Sequence, residues 1–208
     1  MNIEFKNIRA RLHDGRVLEV SDWSLAKSES WGIIGTNGSG KTALSQLLSN
    51  DVCLSQGIVN NLPTSIAYVS LEAQRALLEK ERKEDESDLL DHTDMGTTVA
   101  ELLAPLDTIS DWIDALGLSH LLMQGFKTLS TGESRKVLLI DAIRQAPELL
   151  VLDEPYEGLD VNSRKALADV LATLKANGQN ILWVANRLDE LPPWLSHLAF
   201  IHGGKLLI

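Results

Sequence analysis

The chain has 208 residues, of which 44% are hydrophobic and 23% are charged, so it is long enough for one globular domain with a sizeable core. Its net charge of −10 argues against non-specific nucleic-acid binding, which needs clustered lysine and arginine. No apolar run approaches the roughly 20 residues of a membrane span, the N-terminus has no signal-peptide core, and Cys53 has no second cysteine to pair with. These features exclude a transmembrane or disulfide-stabilised protein and predict a cytoplasmic one.

The first part of the chain predicts a small antiparallel sheet. Ile3 and Phe5 alternate with polar residues, as in a half-buried strand. Asp14-Gly15 is a strong hairpin signal, and residues 17–25 continue the β pattern. An antiparallel β-region is therefore expected ahead of the first motif.

A glycine-rich loop follows the apolar residues 31–34 and has the pattern G-x-x-x-x-G-K-[ST]. It consists of Gly35, Thr36, Asn37, Gly38, Ser39, Gly40, Lys41 and Thr42. Backbone N–H groups can surround phosphate oxygens only where no Cβ stands in the way, which accounts for the glycines. Lys41 can reach the β and γ phosphates, and the Thr42 hydroxyl can ligate Mg²⁺. The pattern predicts a site for ATP with Mg²⁺.

The segments on either side of this loop favour that interpretation over an incidental glycine turn. Residues 31–34 fit a buried strand, and the residues after the loop fit one face of a helix. The apolar positions of that helix are Ala43, Leu44, Leu47 and Leu48. Its positive end would point at the phosphates. Further short strands are expected near residues 57–59 and 65–69.

The middle of the chain predicts a helical lobe. Residues 72–94 are mostly charged, which favours a solvated helix that runs into a loop, with a partner-contacting insertion as the alternative. Thr98 and Glu101 form a capping-box pair at the start of the next helix. Residues 109–116 have the spacing of an amphipathic helix. We expect this lobe to be inserted between two halves of an α/β core.

Ser130 and Glu133 stand three residues apart at the start of a helix that is closed by Pro147. The simple interpretation is a capping box, in which each residue satisfies a backbone N–H of the other. The functional alternative uses the same free helix end. Ser130 and Gly132 could hold a phosphate that another molecule supplies.

Two carboxylates follow the apolar residues 149–152. Burial ends where Asp153 and Glu154 begin, at the carboxyl edge of a parallel sheet, where the ligand sites of α/β proteins lie. Asp153 can hold Mg²⁺ through water, and Glu154 can polarise the water that attacks the γ phosphate. An acidic turn is the alternative. The remaining predicted elements are a helix at 166–174, a strand at 181–184 and a hairpin at 198–208.

Four motifs occur in an order that resembles the nucleotide-binding domain of the ATP-binding cassette (ABC) family. They are the glycine loop, Leu-Ser-Thr-Gly-Glu at 129–133, Leu-Asp-Glu-Pro at 152–155 and Gly-Leu-Asp at 158–160. The resemblance implies an α/β fold, in which a P-loop NTPase core carries an N-terminal antiparallel β-subdomain and an inserted α-helical lobe. The implied boundaries within 1–208 are 1–71 and 135–208 for the core and 72–134 for the lobe. Head-to-tail pairing is also implied, with Lys41 of one cassette and Ser130 of the other enclosing one ATP.

Residues 128–136, 152–161 and 186–190 resemble more specifically the first cassette of tandem ATP-binding proteins of molybdenum transport. Those proteins carry two cassettes in one chain, so we expect this chain to be part of a longer one. The implied partners are a second cassette, in the same chain or as a homodimer, and a membrane transporter subunit. The net charge of −10 argues against nucleic acid as a partner. The implied location is the cytoplasm or the inner face of the membrane.

Two positions that normally contact the nucleotide or its metal depart from the family pattern. The glutamine that the family places near Leu71 is replaced, and leucine cannot ligate Mg²⁺, so Glu72 and Gln74 are the nearby candidates. The aromatic residue that stacks on adenine would fall at Leu12 or His13. Stacking is therefore weak or supplied by the histidine.

The family's switch histidine corresponds to Asn186. An amide can donate a hydrogen bond to the γ phosphate, but unlike histidine it cannot take up a proton and become positively charged near neutral pH. We therefore predict an ATPase cassette, linked to molybdate transport, whose turnover is slow or confined to the partner's site although Glu154 is present as a base. The alternatives are a nucleotide-gated binding module that hydrolyses little ATP, and a non-transport cassette protein that acts on nucleic acid or the ribosome.

Overall fold

A computed structural model describes residues 2–12, 15–27, 29–48, 53–83 and 96–208. Asp14 of the predicted hairpin turn and residues 84–94 of the charged run lie outside these ranges. Within the described ranges, no helix is both long and apolar enough to cross a membrane.

Ten strands of the described residues form one sheet. They are β1 (Asn2–Arg11), β2 (Val17–Val20), β3 (Trp23–Ala26), β4 (Trp31–Ile34), β5 (Cys53–Asn60), β6 (Ile66–Val69), β7 (Leu149–Asp153), β8 (Ile181–Ala185), β9 (His197–His202) and β10 (Lys205–Leu207). Their order is β3-β1-β2-β10-β9-β4-β8-β7-β6, and β5 pairs with β1 outside this path.

The sheet combines an antiparallel region with a parallel one. β1 pairs antiparallel with β2, β3 and β5, whereas β4, β8 and β7 are parallel neighbours. The β9–β10 hairpin joins the two regions, because β10 lies parallel to β2 and β9 lies parallel to β4. The predicted antiparallel region is therefore confirmed. Its continuity with the core sheet was not visible in the sequence pattern.

Strand burial follows this pairing. Every residue of β4 and β8 is buried, as are the four apolar residues of β7. β1 instead alternates over its first half, with Ile3 and Phe5 buried between less buried neighbours. A strand covered on both faces needs apolar side chains on both, whereas a half-covered strand needs them at every second position. The two sequence patterns therefore predicted the two environments.

Six α-helices lie in the described residues. They are α1 (Lys41–Leu48), α2 (Leu71–Lys83), α3 (Val99–Leu103), α4 (Ser110–Ala115), α5 (Thr131–Arg144) and α6 (Val161–Ala176). The predicted capping box of α3 is present, since the Thr98 hydroxyl accepts from the Glu101 N–H and the Glu101 carboxylate accepts from the Thr98 N–H. The predicted apolar spacing buries Ile109, Ile113 and Leu116 around α4. Local caps and spacing were enough to predict these helices.

The chain divides into two compact units. The first comprises Met1–Ala67, Pro147–Glu154 and Lys175–Ile208, and the second comprises Tyr68–Ala146 and Pro155–Leu174. The first unit holds the antiparallel strands, the glycine loop and the ends of β7 and β8. The second holds α2 to α5 and most of α6. The boundaries at 1–71, 72–134 and 135–208 stay a prediction.

Candidate functional site

The glycine-rich loop connects the buried strand β4 to helix α1. The Ser39 N–H donates to the Thr36 carbonyl at 3.0 Å and closes a turn within the loop. A Cβ on Gly35 would lie 2.4 Å from both Ser39 Oγ and Ile201 Cγ2, so no larger residue fits there. Gly40 has a φ of 116°, which other residues rarely adopt. Packing and backbone conformation therefore require these glycines, in addition to the access that phosphate needs.

Lys41 is the first residue of α1, and three oxygens hold its ammonium group. Nζ donates to the carbonyl oxygens of Gly35 at 2.8 Å and Thr36 at 3.1 Å, and to Oδ1 of Asn186 at 2.6 Å. Lys41 is only 6% exposed. Three acceptors use all three hydrogens of an ammonium group. The predicted contact of Lys41 with a phosphate oxygen would therefore replace one of these three hydrogen bonds.

The two predicted carboxylates lie where β7 ends. Asp153 is the register partner of Val184 on the parallel neighbour β8, and the Glu154 N–H donates to the Val184 carbonyl at 2.9 Å. Glu154 has a φ of 49°, in the left-handed region that a non-glycine residue occupies at an energetic cost. The chain therefore leaves the strand at Glu154, and the bond to Val184 holds this turn.

Asn186 follows β8 and connects Glu154 to Lys41. Its Nδ2 donates to Glu154 Oε1 at 2.6 Å, and its Oδ1 accepts from Lys41 Nζ at 2.6 Å. A carboxylate accepts and an ammonium donates, so these two neighbours assign the orientation of the amide. The result is a continuous chain of cation, neutral amide and carboxylate. We call it the Lys41–Asn186–Glu154 chain.

A cavity of about 230 Å³ lies over the loop. It is lined by Arg16, Asn37, Gly38, Gly40, Lys41, Thr42, Ala43, Asp153 and Glu154. The Thr42 hydroxyl and the Asp153 carboxylate are hard oxygen donors, the kind that Mg²⁺ takes together with phosphate oxygens. The donor set of this cavity therefore fits the Mg²⁺ ion that the loop pattern implies.

A second cavity, of about 340 Å³, shares Arg16, Gly38 and Gly40 with the first. Its other lining residues are Leu12, Val17, Glu19, Ser39, Gly203, Gly204 and Lys205. Of the two positions proposed to stack on adenine, Leu12 lines this cavity and His13 lies outside the described residues. The Arg16 guanidinium donates to the Gly38 carbonyl. Arg16 belongs to no motif, so sequence reasoning missed it.

Ser130 caps α5, as the simple interpretation predicts. Its Oγ accepts from the Glu133 N–H at 3.3 Å, and Glu133 Oε2 accepts from the Ser130 N–H at 2.8 Å. The Ser130 hydroxyl donates to the same carboxylate oxygen at 2.7 Å. The hydrogen bond from the Ser130 hydroxyl has the larger effect and the one from the Ser130 N–H the smaller, and together they hold the pKa of Glu133 below its ordinary value. The phosphate-binding role of Ser130 stays a prediction.

Gly132 packs against the loop before α6. A Cβ on Gly132 would lie 3.2 Å from Leu159 Cδ2 and 3.3 Å from the Gly158 carbonyl oxygen. Asp160 caps α6, since its Oδ1 accepts from the Ser163 N–H at 2.8 Å. A glycine at position 132 therefore lets the start of α5 approach this loop closely. Its role toward phosphate stays a prediction.

Leu71 begins α2, so the position expected for a metal-binding glutamine carries a half-buried aliphatic side chain. Of the two nearby candidates, Glu72 is exposed, whereas Gln74 is 3% exposed and its amide donates to α5. The Gln74 amide therefore contacts another helix through its nitrogen, and the metal-binding role of Glu72 or Gln74 stays a prediction.

The predicted site residues divide between the two units. Residues 35–42, Asp153, Glu154 and Asn186 belong to the first, whereas Ser130 and Gly132 belong to the second. Most of the first group lines the 230 Å³ cavity or shares a hydrogen bond with Lys41, whereas Ser39 lines the neighbouring cavity. Asn186 was found only through the family pattern, because an asparagine after a strand carries no signal of its own.

A buried strand, a glycine-rich loop and a helix that begins at a buried lysine, with carboxylates at a neighbouring strand end, define a P-loop nucleotide-binding protein. A family model described as ABC transporter matches residues 18–157. The chain therefore belongs to the ABC transporter family. The predicted cassette fold and its ATPase class are confirmed.

Two curated relatives illustrate the likeness. The chain is 37% identical over 193 residues to the ABC transporter ATP-binding protein ModF of Escherichia coli K12, a match that covers 89% of this chain and 39% of ModF. It is 27% identical over 203 residues to the uncharacterised ABC transporter ATP-binding protein MJ1023 of Methanocaldococcus jannaschii, covering 98% of this chain and 75% of that protein. The chain thus spans less than half the length of ModF.

A solved structure of an ATP-binding cassette has the same fold. The ADP conformation of MJ1267, an ATP-binding cassette of an ABC transporter, matches with a TM-score of 0.71 at 22% identity. The match covers 100% of this chain and 90% of that one. At this identity the likeness concerns the fold alone.

Proposed function

We propose that this chain binds Mg-ATP at the glycine loop and pairs with a second cassette, whose ATP contacts Ser130 and Gly132. The observation that carries the proposal is the Lys41–Asn186–Glu154 chain, with both contacts of the amide at 2.6 Å. It connects the cation for the γ phosphate to the candidate general base. A merely structural glycine turn would need neither group.

Each residue of the first unit has a distinct role in this proposal. The loop N–H groups and Lys41 bind the phosphates, since backbone dipoles and one ammonium offset their negative charge. Thr42 and Asp153 hold Mg²⁺, which supplies charge neutralisation for the phosphates when it is bound. Glu154 accepts a proton from the water that attacks the γ phosphate.

Turnover at this site is slow in our proposal, because Asn186 occupies the position of the family's histidine. Its amide donates to Glu154 and accepts from Lys41, but it remains neutral throughout the physiological pH range. A histidine in that position can become a cation and stabilise developing charge on the γ phosphate. The cassette therefore binds ATP well and hydrolyses it slowly, or only beside an active partner.

The proposed partner is a second cassette, in the same chain or as a second copy of this one. The match to 39% of ModF supports a longer parent chain. Molybdate transport and coupling to a membrane subunit rest on the sequence resemblance, as does a location in the cytoplasm or at the inner face of the membrane. The net charge of −10 supports a function without nucleic acid.

The test is ATP turnover together with ATP-dependent association, measured for this chain alone and with a second cassette attached. We expect binding without appreciable turnover alone, and turnover once the second cassette is present. Glu154→Gln should remove the turnover that this cassette's own site contributes and prolong the paired state. Glu157→Gln, a change at a nearby exposed acid, should leave both unchanged. An unchanged turnover rate in Glu154→Gln would overturn the assignment of the base.

A nucleotide-gated binding module is the second candidate function. It is favoured by the neutral Asn186 amide and by Leu71, an aliphatic residue in the position of the family's metal-binding glutamine. In that case ATP holds the two cassettes together without being hydrolysed. The paired state would then last equally long with ATP and with a non-hydrolysable analogue.

A further inference from the structure

Gln74 connects the first turn of α2 to the first turn of α5. Its Nε2 lies 2.6 Å from Ser134 Oγ and 3.2 Å from the Thr131 carbonyl oxygen. Gln74 is 3% exposed and Ser134 is 1% exposed, so water does not compete for these bonds. A primary amide has two N–H hydrogens, and both have an acceptor on α5.

The contact continues from Ser134 to the residue that caps α5. Ser134 Oγ lies 2.9 Å from the Ser130 carbonyl oxygen. A hydroxyl can accept one hydrogen bond while it donates another, so Ser134 accepts from Gln74 and donates to Ser130. The amide of Gln74 is thereby linked in two steps to the backbone of Ser130. We call this the Gln74–Ser134–Ser130 link.

The amide oxygen of Gln74 shows that the residue contacts α5 only as a hydrogen-bond donor. Gln74 Oε1 is buried and accepts no hydrogen bond from any residue that the structure describes. Turning the amide over would place this oxygen against the Thr131 carbonyl, where two acceptors repel. A buried oxygen that accepts no hydrogen bond is unfavourable. A leucine of similar volume would fill the same space and avoid this cost. Packing alone therefore does not account for a glutamine at this position, whereas the hydrogen bonds from its Nε2 to α5 do.

We propose that Gln74 is a positioning residue for the phosphate-contacting end of α5. It fixes the Ser130 backbone, so that the Ser130 hydroxyl and the Gly132 N–H meet the partner cassette's ATP in a defined geometry. This inference rests on the proposed pairing function. It assigns Gln74 a place in the partner's site, distinct from the metal-ligand role considered for it in the sequence.

The experiment compares Gln74→Leu, Ser134→Ala and the double variant with Gln145→Leu. Gln145 is a matched control because it is an exposed glutamine at the other end of α5. Amide hydrogen exchange is measured first, on this chain without nucleotide. We expect exchange at Glu133 and Ser134, whose N–H groups donate to Ser130, to rise about tenfold in both single variants. The double variant should show no further rise, because both changes break one link. Additive effects, or unchanged exchange, would overturn the link.

ATP-dependent association is measured next, in the Glu154→Gln background. Gln74→Leu should weaken ATP-dependent pairing about tenfold while ATP binding to the unpaired chain and the melting temperature stay within error of Gln145→Leu. Wild-type pairing strength in Gln74→Leu, or a parallel loss of ATP binding, would overturn the positioning role. If the chain that carries only Glu154→Gln does not pair in the presence of ATP, the proposed function is wrong. Hydrogen exchange still decides whether Gln74 orders α5.

Discussion

The side-chain amide of Asn186 donates to Glu154 Oε1 across 2.6 Å, so a neutral group contacts the carboxylate that we propose as the general base. An amide cannot take up a proton, whereas the imidazole that the family has in this position can. In the proposed function, the pair combines the candidate base with a neutral amide in the position of the family's histidine. Its consequences for ATP hydrolysis are open to direct measurement.

Replacing Asn186 with histidine should raise the ATPase rate. An imidazole can donate to the γ phosphate as a cation, and positioned acid–base groups contribute about 10²- to 10⁴-fold to rates. We expect an increase of about 10-fold or more, with a pH dependence near the histidine pKa of about 6.5. Steady-state turnover measured across pH 5.5 to 8.5 checks this.

Asn162→His is the control for that change, because Asn162 is exposed near the start of α6 and lies in the second unit. It should leave the rate and its pH profile unchanged. No gain in hydrolysis for Asn186→His would mean that this position does not limit turnover.

Lys41→Ala should weaken ATP binding. Its ammonium is the buried cation of the loop, and a hydrogen bond to a charged group contributes about 1.5–3 kcal/mol, or about 10- to 100-fold in affinity. Titration calorimetry with ATP measures the loss. The exposed Lys27→Ala removes the same charge elsewhere and should bind ATP normally. Equal losses in the two variants would point to a general charge effect.

Gly35→Ala should destabilise the fold by about 2–3 kcal/mol, as overpacking does in a filled core. The added methyl group would lie 2.4 Å from Ile201 Cγ2 and Ser39 Oγ. Gly178→Ala is the comparison, since its φ is 89° but a Cβ there meets no described atom within 4 Å. It should cost only about 1 kcal/mol, the strain of that conformation. Urea unfolding compares them, and a larger cost at Gly178 would contradict the packing explanation.

The Glu133 carboxylate should make stability depend on acid pH. Its pKa is lowered in the folded protein by the Ser130 hydroxyl and N–H, so the ionised form stabilises α5. That contribution is complete above the unfolded pKa of about 4.3 and is lost as the pH falls through the lower folded pKa. Glu133→Gln should therefore melt lower than the wild type near neutral pH, with a smaller drop between pH 5 and pH 3. Melting curves for Glu133→Gln and Glu157→Gln test this, and parallel curves for wild type and Glu133→Gln would count against it.

Much of the fold could be predicted because its signals are local. The capping boxes at Thr98 and Ser130 each span four residues, and the apolar runs of β7 and β8 lie within single strands. The glycine loop was predicted for access to phosphate, which stays a prediction. The structure adds that Gly35 also has no room for a Cβ beside Ile201, a residue far along the chain.

Other parts of the site had no sequence signal. Arg16 lines both cavities and bonds the loop carbonyl of Gly38, yet it belongs to no motif. The place of Gln74 in the chain gave no sign that its amide donates to α5. Side-chain direction and burial depend on which helices pack together, and those contacts are not encoded within a few neighbouring residues.

The sequence by itself determined the class of this protein, the glycine-rich loop between β4 and α1 and the carboxylates at the end of β7, because strand, loop and helix signals act over short distances. Only the tertiary structure decided that Asn186 joins Lys41, 145 positions away, to Glu154, and that one hairpin merges the antiparallel and parallel strands into one sheet. The reason is physical. A contact between distant residues depends on the order in which the intervening strands pair, and the same local strand and helix patterns are compatible with several strand orders.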